Sequence, residues 1–254
     1  MTGHPRLILL DIDGTLTDGE TRGLDLELLA SLADLNRRAR RRPELPAVTL
    51  CSGRPPAYVE AILQAIDGHM PAVFENGCGL YVPAGYGFLP HPAIGDGSVI
   101  EEAAERVRAT LVASDRVFLQ PGKLFSLSIF ARDPADKPHL LAWTRAALGP
   151  LCSRVELIYA ASCLNVMPRG IDKGAGVALL ASHTGIRPEE ILGVGDADND
   201  LAFLARVGRR GAPANANERV KALVDYVSPY ATGQGVRDVL RHFGVLDATK
   251  TASA

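Results

Sequence analysis

At 254 residues, with 47% hydrophobic and 22% charged side chains, the chain has apolar matter for a sizeable core, which excludes a disordered or low-complexity protein. A net charge of -2 supplies no field for gathering nucleic acid or an anionic membrane, so a small molecule is the expected partner. The four cysteines, Cys51, Cys78, Cys152 and Cys163, include no C-x-x-C pair, which excludes zinc-finger spacing and a disulfide framework and suits a reducing cytoplasm.

The N-terminal residues pass into the first strand without a signal-peptide pattern, and no apolar run approaches membrane-spanning length, so a cytoplasmic location is expected. Leu7-Ile8-Leu9-Leu10 is a short apolar run that reads as a strand buried on both faces. It delivers Asp11 and Asp13, one residue apart, into a Gly/Thr-rich turn, where the two carboxylates repel unless a cation neutralises them. With hard oxygen ligands and no nearby His or Cys, the fitting metal is Mg²⁺. Leu28, Leu29, Leu32 and Leu35 then follow helical spacing, and the helix ends in an arginine-rich stretch closed by Pro43. Those cations complement the helix dipole at a solvated end and do not point to nucleic acid.

A second buried strand over 46–51 runs into Ser52-Gly53-Arg54 and a helix over 58–66. Ser52 and the Gly53 amide are expected at a helix N-terminus, where free N–H groups bind phosphate or where Ser52 caps the helix. A third short strand leads into Glu75-Asn76-Gly77, a turn signal. A Gly/Pro-rich approach over 83–97 precedes a helix over 99–112, a strand at 117–120, a Pro121-Gly122 turn and an alternating strand at 125–130. A helix over 139–148 and two strands near 155–159 and 163–167 complete an αββαββ order. Alternating strands bury one face, so a four-stranded antiparallel sheet with both helices on one side is expected, its other face free to close over a site.

Lys173 opens the next helix, where the dipole disfavours a cation, so an anionic partner is expected. The strand over 190–195 repeats the opening design and expels Asp196, Asp198, Asn199 and Asp200 at its C-terminal end, where open parallel sheets bind ligands. Asp198 is expected to be solvated. Two further βα units follow, and the small polar tail after Asp247 is expected to fray.

The D-x-D-G-T-L-T stretch at Asp11, S-G-R at Ser52, E-N-G at Glu75, D-K-G around Lys173 and G-D-x-x-N-D at Asp196 together resemble the haloacid dehalogenase superfamily, in its subfamily IIB. The resemblance spans essentially the whole chain. It implies an α/β fold: a Rossmann-like core with a parallel sheet (1–81 and 168–254) and an inserted α+β cap domain (82–167). It also implies a Mg²⁺-dependent phosphatase acting on a small phosphorylated metabolite, phosphoglycolate or a sugar phosphate, through an aspartyl-phosphate. Asp11 is then the nucleophile and Asp13 the general acid/base. Ser52, Gly53 and Lys173 hold the phosphoryl oxygens. Asp11, the Asp13 carbonyl and Asp196 hold the metal, with Asp200 supporting its shell and Asn199 orienting the site. Arg54 and Asn76 lie beside the phosphate motif and the cap entrance, while Lys123 and Arg169 are weaker candidates for meeting the leaving group. A phosphomannomutase-like phosphotransferase and a non-catalytic phosphometabolite-binding protein are the alternatives.

Overall fold

The computed structural model describes residues 4–19, 22–160 and 162–246; the small polar tail lies outside them. The chain opens with β1 (Leu7–Leu10), α1 (Leu26–Arg41), β2 (Ala47–Leu50), α2 (Pro56–Ala65), β3 (Ala72–Phe74), β4 (Gly79–Val82) and β5 (Gly87–Pro90). It continues through α3 (Ser98–Val107), β6 (Val117–Leu119), β7 (Leu127–Ala131), α4 (Leu140–Leu148), β8 (Val155–Tyr159) and β9 (Leu164–Pro168). It closes with α5 (Lys173–Thr184), β10 (Ile191–Val194), α6 (Leu201–Leu204), β11 (Arg209–Ala212), α7 (Glu218–Leu223), β12 (Tyr226–Val227) and α8 (Thr232–His242).

Five of these strands form a parallel sheet in the order β12-β11-β10-β1-β2. All four residues of β1 are inaccessible to solvent because alternate side chains enter different cores. Ile8 and Leu10 pack with α1, α2 and α8, while Leu7 and Leu9 pack with α5, α6 and α7. That double burial explains why β1 is an unbroken apolar run. From β1 the chain goes first to β2 on one side and only later to β10 on the other, so the central strand is a topological switch point. Leu10 is in register with both Leu50 and Val194, so the residues that follow β1 and β10 emerge side by side.

A single parallel bridge between Cys51 and Val73 attaches β3 to this sheet, and β3, β4 and β5 continue antiparallel. The strand β5 was not expected within the Gly/Pro-rich stretch. It is four residues long, ends in Pro90 and sits at an edge, where a missing N–H disturbs no central ladder. The helix expected over 99–112 is α-helical to Val107 and continues as a wider turn over Arg108–Val112.

The elements from α3 to β9 follow the αββαββ order, and their antiparallel sheet runs β6-β7-β9-β8. Leu127, Ile129, Leu164 and Val166 pack against α3 and α4 on one face. Their alternates Ser128 and Asn165 take the other face, turned toward the C-terminal ends of β1 and β10. Among the described residues, no helix is long and apolar enough to cross a membrane.

One buried polar residue ties the first core layer together. Asn36, on the inner side of α1, donates to the carbonyls of Val48 (3.2 Å) and Ile66 (2.9 Å) and accepts from the Val48 N–H (2.8 Å). Asn36→Ala would strand these buried groups, and a loss of about 2–4 kcal/mol in denaturant unfolding is expected. A loss within experimental error would show that the three bonds are replaced.

Candidate active site

Asp11 leaves β1 at the switch point, and the chain then turns so tightly that Gly14 adopts φ +82°. A Cβ on Gly14 would stand 2.2 Å from Asp196 Oδ2, so the turn is pressed against the residue that leaves β10. Thr15 secures that approach by donating its hydroxyl to Asp196 Oδ1 at 3.0 Å. Asn215 secures it from the outside, donating to the Gly14 carbonyl at 2.8 Å.

Lys173 is the first residue of α5, whose N-terminus is capped by Asp172 accepting from the Ala175 N–H at 2.8 Å. Its ammonium is wholly buried, 2.8 Å from Asp11 Oδ1 and 2.5 Å from Asp200 Oδ1. The other oxygen of Asp200 accepts the N–H groups of Asp196 (2.9 Å) and Ala197 (3.0 Å). Asp200 is therefore fully engaged, and it fixes both Lys173 and the loop after β10.

Burial and the Asp200 charge raise the Asp11 carboxyl well above the usual carboxylate range, although Lys173 opposes them. The same two causes push Asp196 up to about 7. For Lys173, burial alone would lower the value, but Asp11 and Asp200 outweigh it and hold the ammonium above its ordinary range. The site is short of positive charge: Asp11, Asp13, Asp196 and Asp200 face Lys173 and Arg54, an excess of two negative charges that a divalent cation would balance. Asp11, Asp196 and Asp200 offer oxygens all within 4.8 Å of one another, and this hard donor set fits Mg²⁺.

Asp13 stands outside that cluster. Its carboxylate accepts two hydrogen bonds from the Arg54 guanidinium, at 2.7 and 2.6 Å, and Arg54 in turn lies 4.6 Å from the Tyr58 ring centre. The Ser52–Arg54 loop does not open a helix, since α2 begins only at Pro56. Ser52 is buried beneath the loop and accepts from the Arg54 N–H at 3.2 Å, so it does not line the cavity, whereas Gly53 does. The Asn76 amide covers Gly53, where an added Cβ would meet it at 3.0 Å, and Asn76 accepts from Asn199 at 3.1 Å.

These groups floor a cavity of about 230 Å³. Its opposite wall comes from the second sheet and its loops, with Gln120, Ser128, Ser162, Cys163 and Asn165. Ser128 donates to Asn165 Oδ1 at 2.7 Å, which leaves the Asn165 amide donor without an acceptor among the described residues. Gln120, Ser128, Asn165 and Thr15 were not singled out from the sequence. The alternation of the β7 and β9 segments held the signal for Ser128 and Asn165, the polar positions between apolar ones.

Two weaker candidates are corrected. Arg169 follows β9 at the end of the sheet where β8 begins, and it donates to the Ser153 carbonyl at 2.5 Å. Lys123 does not line the cavity, and its ammonium donates to the Gly53 carbonyl. Asp198 is turned outward to Asn217 (2.9 Å) and Arg219 (3.1 Å), as expected for a solvated acid.

The family model described as haloacid dehalogenase-like hydrolase matches residues 136–240. A phosphoglycolate phosphatase of Methanopyrus kandleri is 30% identical over 237 residues, covering 92% of this chain and 95% of that protein. A crystal structure of a Thermoplasma acidophilum protein superposes with a TM-score of 0.71 at 24% identity, over 96% of this chain and 100% of the other. A structure described as a subclass IIB sugar phosphatase superposes with a TM-score of 0.62 at 20% identity, over 95% and 100%.

Because Asp196 binds its proton more tightly folded (about 7) than at its ordinary value of 3.8, the folded state holds more protons in the window between them, and stability falls as pH rises through it. The metal-free protein is expected to lose melting temperature between about pH 4 and about pH 7, and saturating Mg²⁺ to flatten that slope. Melting curves with and without Mg²⁺ check this, and superimposable profiles would reject a cation at the acidic cluster.

Proposed function

The chain belongs to the haloacid dehalogenase superfamily, and on that footing we propose that it is a Mg²⁺-dependent phosphomonoesterase that hydrolyses a small phosphorylated metabolite through an aspartyl-phosphate. The observation that carries this reading is Asp11 at the floor of the cavity, backed by the buried ammonium of Lys173, with a second carboxylate, Asp13, beside it. In this reading residues 1–81 and 168–254 form the core, and 82–167 form the cap.

Asp11 attacks phosphorus in line, forming an Asp11 O–P bond as the bond to the leaving oxygen breaks. Asp13 gives its proton to that oxygen and afterwards takes one from the water that cleaves the aspartyl-phosphate. Lys173, the Gly53 amide and Arg54 act on the phosphoryl oxygens, with Ser52 supporting their loop from beneath, and for Arg54 this requires exchange of its partner Asp13. Asn76 and Asn199 orient that loop through their mutual hydrogen bond. Mg²⁺ held by Asp11, Asp196 and the Asp13 carbonyl, with Asp200 behind them, would neutralise charge on the phosphoryl group.

Only Ala197 and Asp198 separate Asp196 from Asn199, which supports a hydrolase over a phosphomannomutase-like transferase. Retention of both Asp11 and Asp13 supports catalysis over binding alone. Cys51, Cys78 and Cys152 are free thiols, which supports a cytoplasmic setting. For the leaving group, the names of the relatives favour phosphoglycolate. The neutral wall of Gln120, Ser128 and Asn165 favours a hydroxylated group, a sugar phosphate.

Phosphate release from a panel that includes phosphoglycolate and hexose phosphates decides both points. Release is expected to require Mg²⁺ and to stop with EDTA. Asp11→Asn is expected to abolish turnover while leaving the fold intact, and Asp13→Ala to cost about 10²–10⁴ in kcat. Full activity in Asp11→Asn would end the aspartyl-phosphate reading.

A further inference from the structure

Glu75 belongs to the core turn between β3 and β4, yet its carboxylate serves the hairpin between β6 and β7. Oε1 accepts the Leu124 N–H at 2.7 Å, while Oε2 accepts the Phe125 N–H at 2.9 Å and the Ser126 hydroxyl at 2.7 Å. The side chain is inaccessible to solvent, and the charge that acts on it is the buried ammonium of Lys123, on the same hairpin. A carboxylate so placed needs donors in place of water, and all three come from one short segment of the smaller unit. They are in reach only while that segment is seated on the core.

The backbone is shaped for this contact. Glu75 and Asn76 are consecutive non-glycine residues in the left-handed region, at φ 46° and 54°. Such a pair is costly and persists only where its surroundings over-determine it. It sends the two side chains to different partners, Glu75 to the hairpin and Asn76 to Gly53 and Asn199. Around it, the Phe74 and Phe125 rings stack at 6.3 Å, Cys78 Sγ approaches the Phe125 carbonyl at 3.6 Å, and Lys123 donates to the Gly53 carbonyl. From Ser126 the chain enters β7, where Ser128, two residues on and on the same face, lines the cavity wall and holds Asn165.

We propose that Glu75 is a positioning residue: its carboxylate seats the 121–126 hairpin on the core and thereby sets Gln120, Ser128 and Asn165 over the reacting phosphoryl group. The kinetic part of this proposal rests on the phosphatase reading, and the seating part does not. In E75Q one oxygen becomes an amide donor, so an N–H of Leu124 or the Phe125–Ser126 pair faces another donor while size is retained. Amide hydrogen exchange followed by mass spectrometry is expected to show the 121–127 segment exchanging at least about tenfold faster in E75Q, with α5 and β10 unchanged.

In parallel, the ratio of kcat/KM for glucose 6-phosphate to that for acetyl phosphate, whose leaving group is too short to reach the wall, is expected to fall about tenfold or more. Loss of fold would lower both rates and leave the ratio unchanged. S126A, which removes one donor from the other side of the contact, is expected to shift both readouts the same way by a smaller factor, and it serves if E75Q does not fold. Unaltered exchange at 121–127, or an unaltered ratio with both rates reduced, overturns the proposal. If the unsubstituted protein hydrolyses neither compound, exchange alone decides the seating.

Discussion

A buried ammonium between two buried carboxylates is the constraint from which the rest of the molecule can be understood. Taking Lys173, Asp11 and Asp200 out of water costs several kcal/mol per ion, and their attraction offsets this only with close geometry and every remaining lone pair satisfied. The fold supplies that geometry from three separate places: the end of β1, the start of α5 and the loop after β10. Asp200 completes it with two backbone N–H groups. Because α5 and β10 follow the whole smaller unit in the chain, the cluster forms only when distant segments have docked. It is therefore a marker of the assembled core as well as the floor of the cavity.

The same constraint explains the acidity around it. Lys173 answers Asp11 and Asp200, and Arg54 answers Asp13, but among the described residues Asp196 has a hydrogen bond from the neutral hydroxyl of Thr15 and only the more distant charge of Lys173. A weakly answered, mostly buried carboxylate holds its proton to about neutral pH, and this is the arrangement in which a hard divalent cation gains most by binding. The Arg54–Asp13 pair has a different consequence. Two short bidentate bonds give the Asp13 carboxylate a definite resting place, from which a phosphoryl dianion competing for the guanidinium would release it.

What was legible in the sequence was local. The strand β1 is an apolar run followed by two aspartates, and Lys173 stands out because a cation at a helix start opposes the dipole. The order of the smaller unit followed from period-two and period-3.6 spacing, which survives without knowledge of the tertiary structure. What was not legible depends on partners far along the chain. Nothing near Thr15 announces Asp196, nothing near Glu75 announces the Leu124 N–H, and Arg54 reads as a phosphate ligand until Asp13 is seen in its grip. Lys123 misled for the same reason, since an exposed turn in the sequence became a seat on Gly53. The edge strand β5 was missed because its glycine and proline are the signals that ordinarily end strands.

The turn Glu75-Asn76-Gly77 joins these two halves of the account. A site that makes and breaks a phosphoryl bond must admit substrate and then exclude bulk water, so its enclosing wall has to respond to the loops that bind the phosphate. Here a pair of left-handed residues faces both: Asn76 lies on the Gly53 loop, and Glu75 holds the hairpin that leads to the wall. Gly77, at φ +102°, lets the turn close onto α5, where a Cβ would stand 2.0 Å from the Asp172 carbonyl. Asp172 caps the helix that begins with Lys173. A shift of this turn would thus be felt by the Gly53 loop, by the hairpin that leads to the wall and by the helix carrying the central cation, because each is in direct contact with one of its three residues.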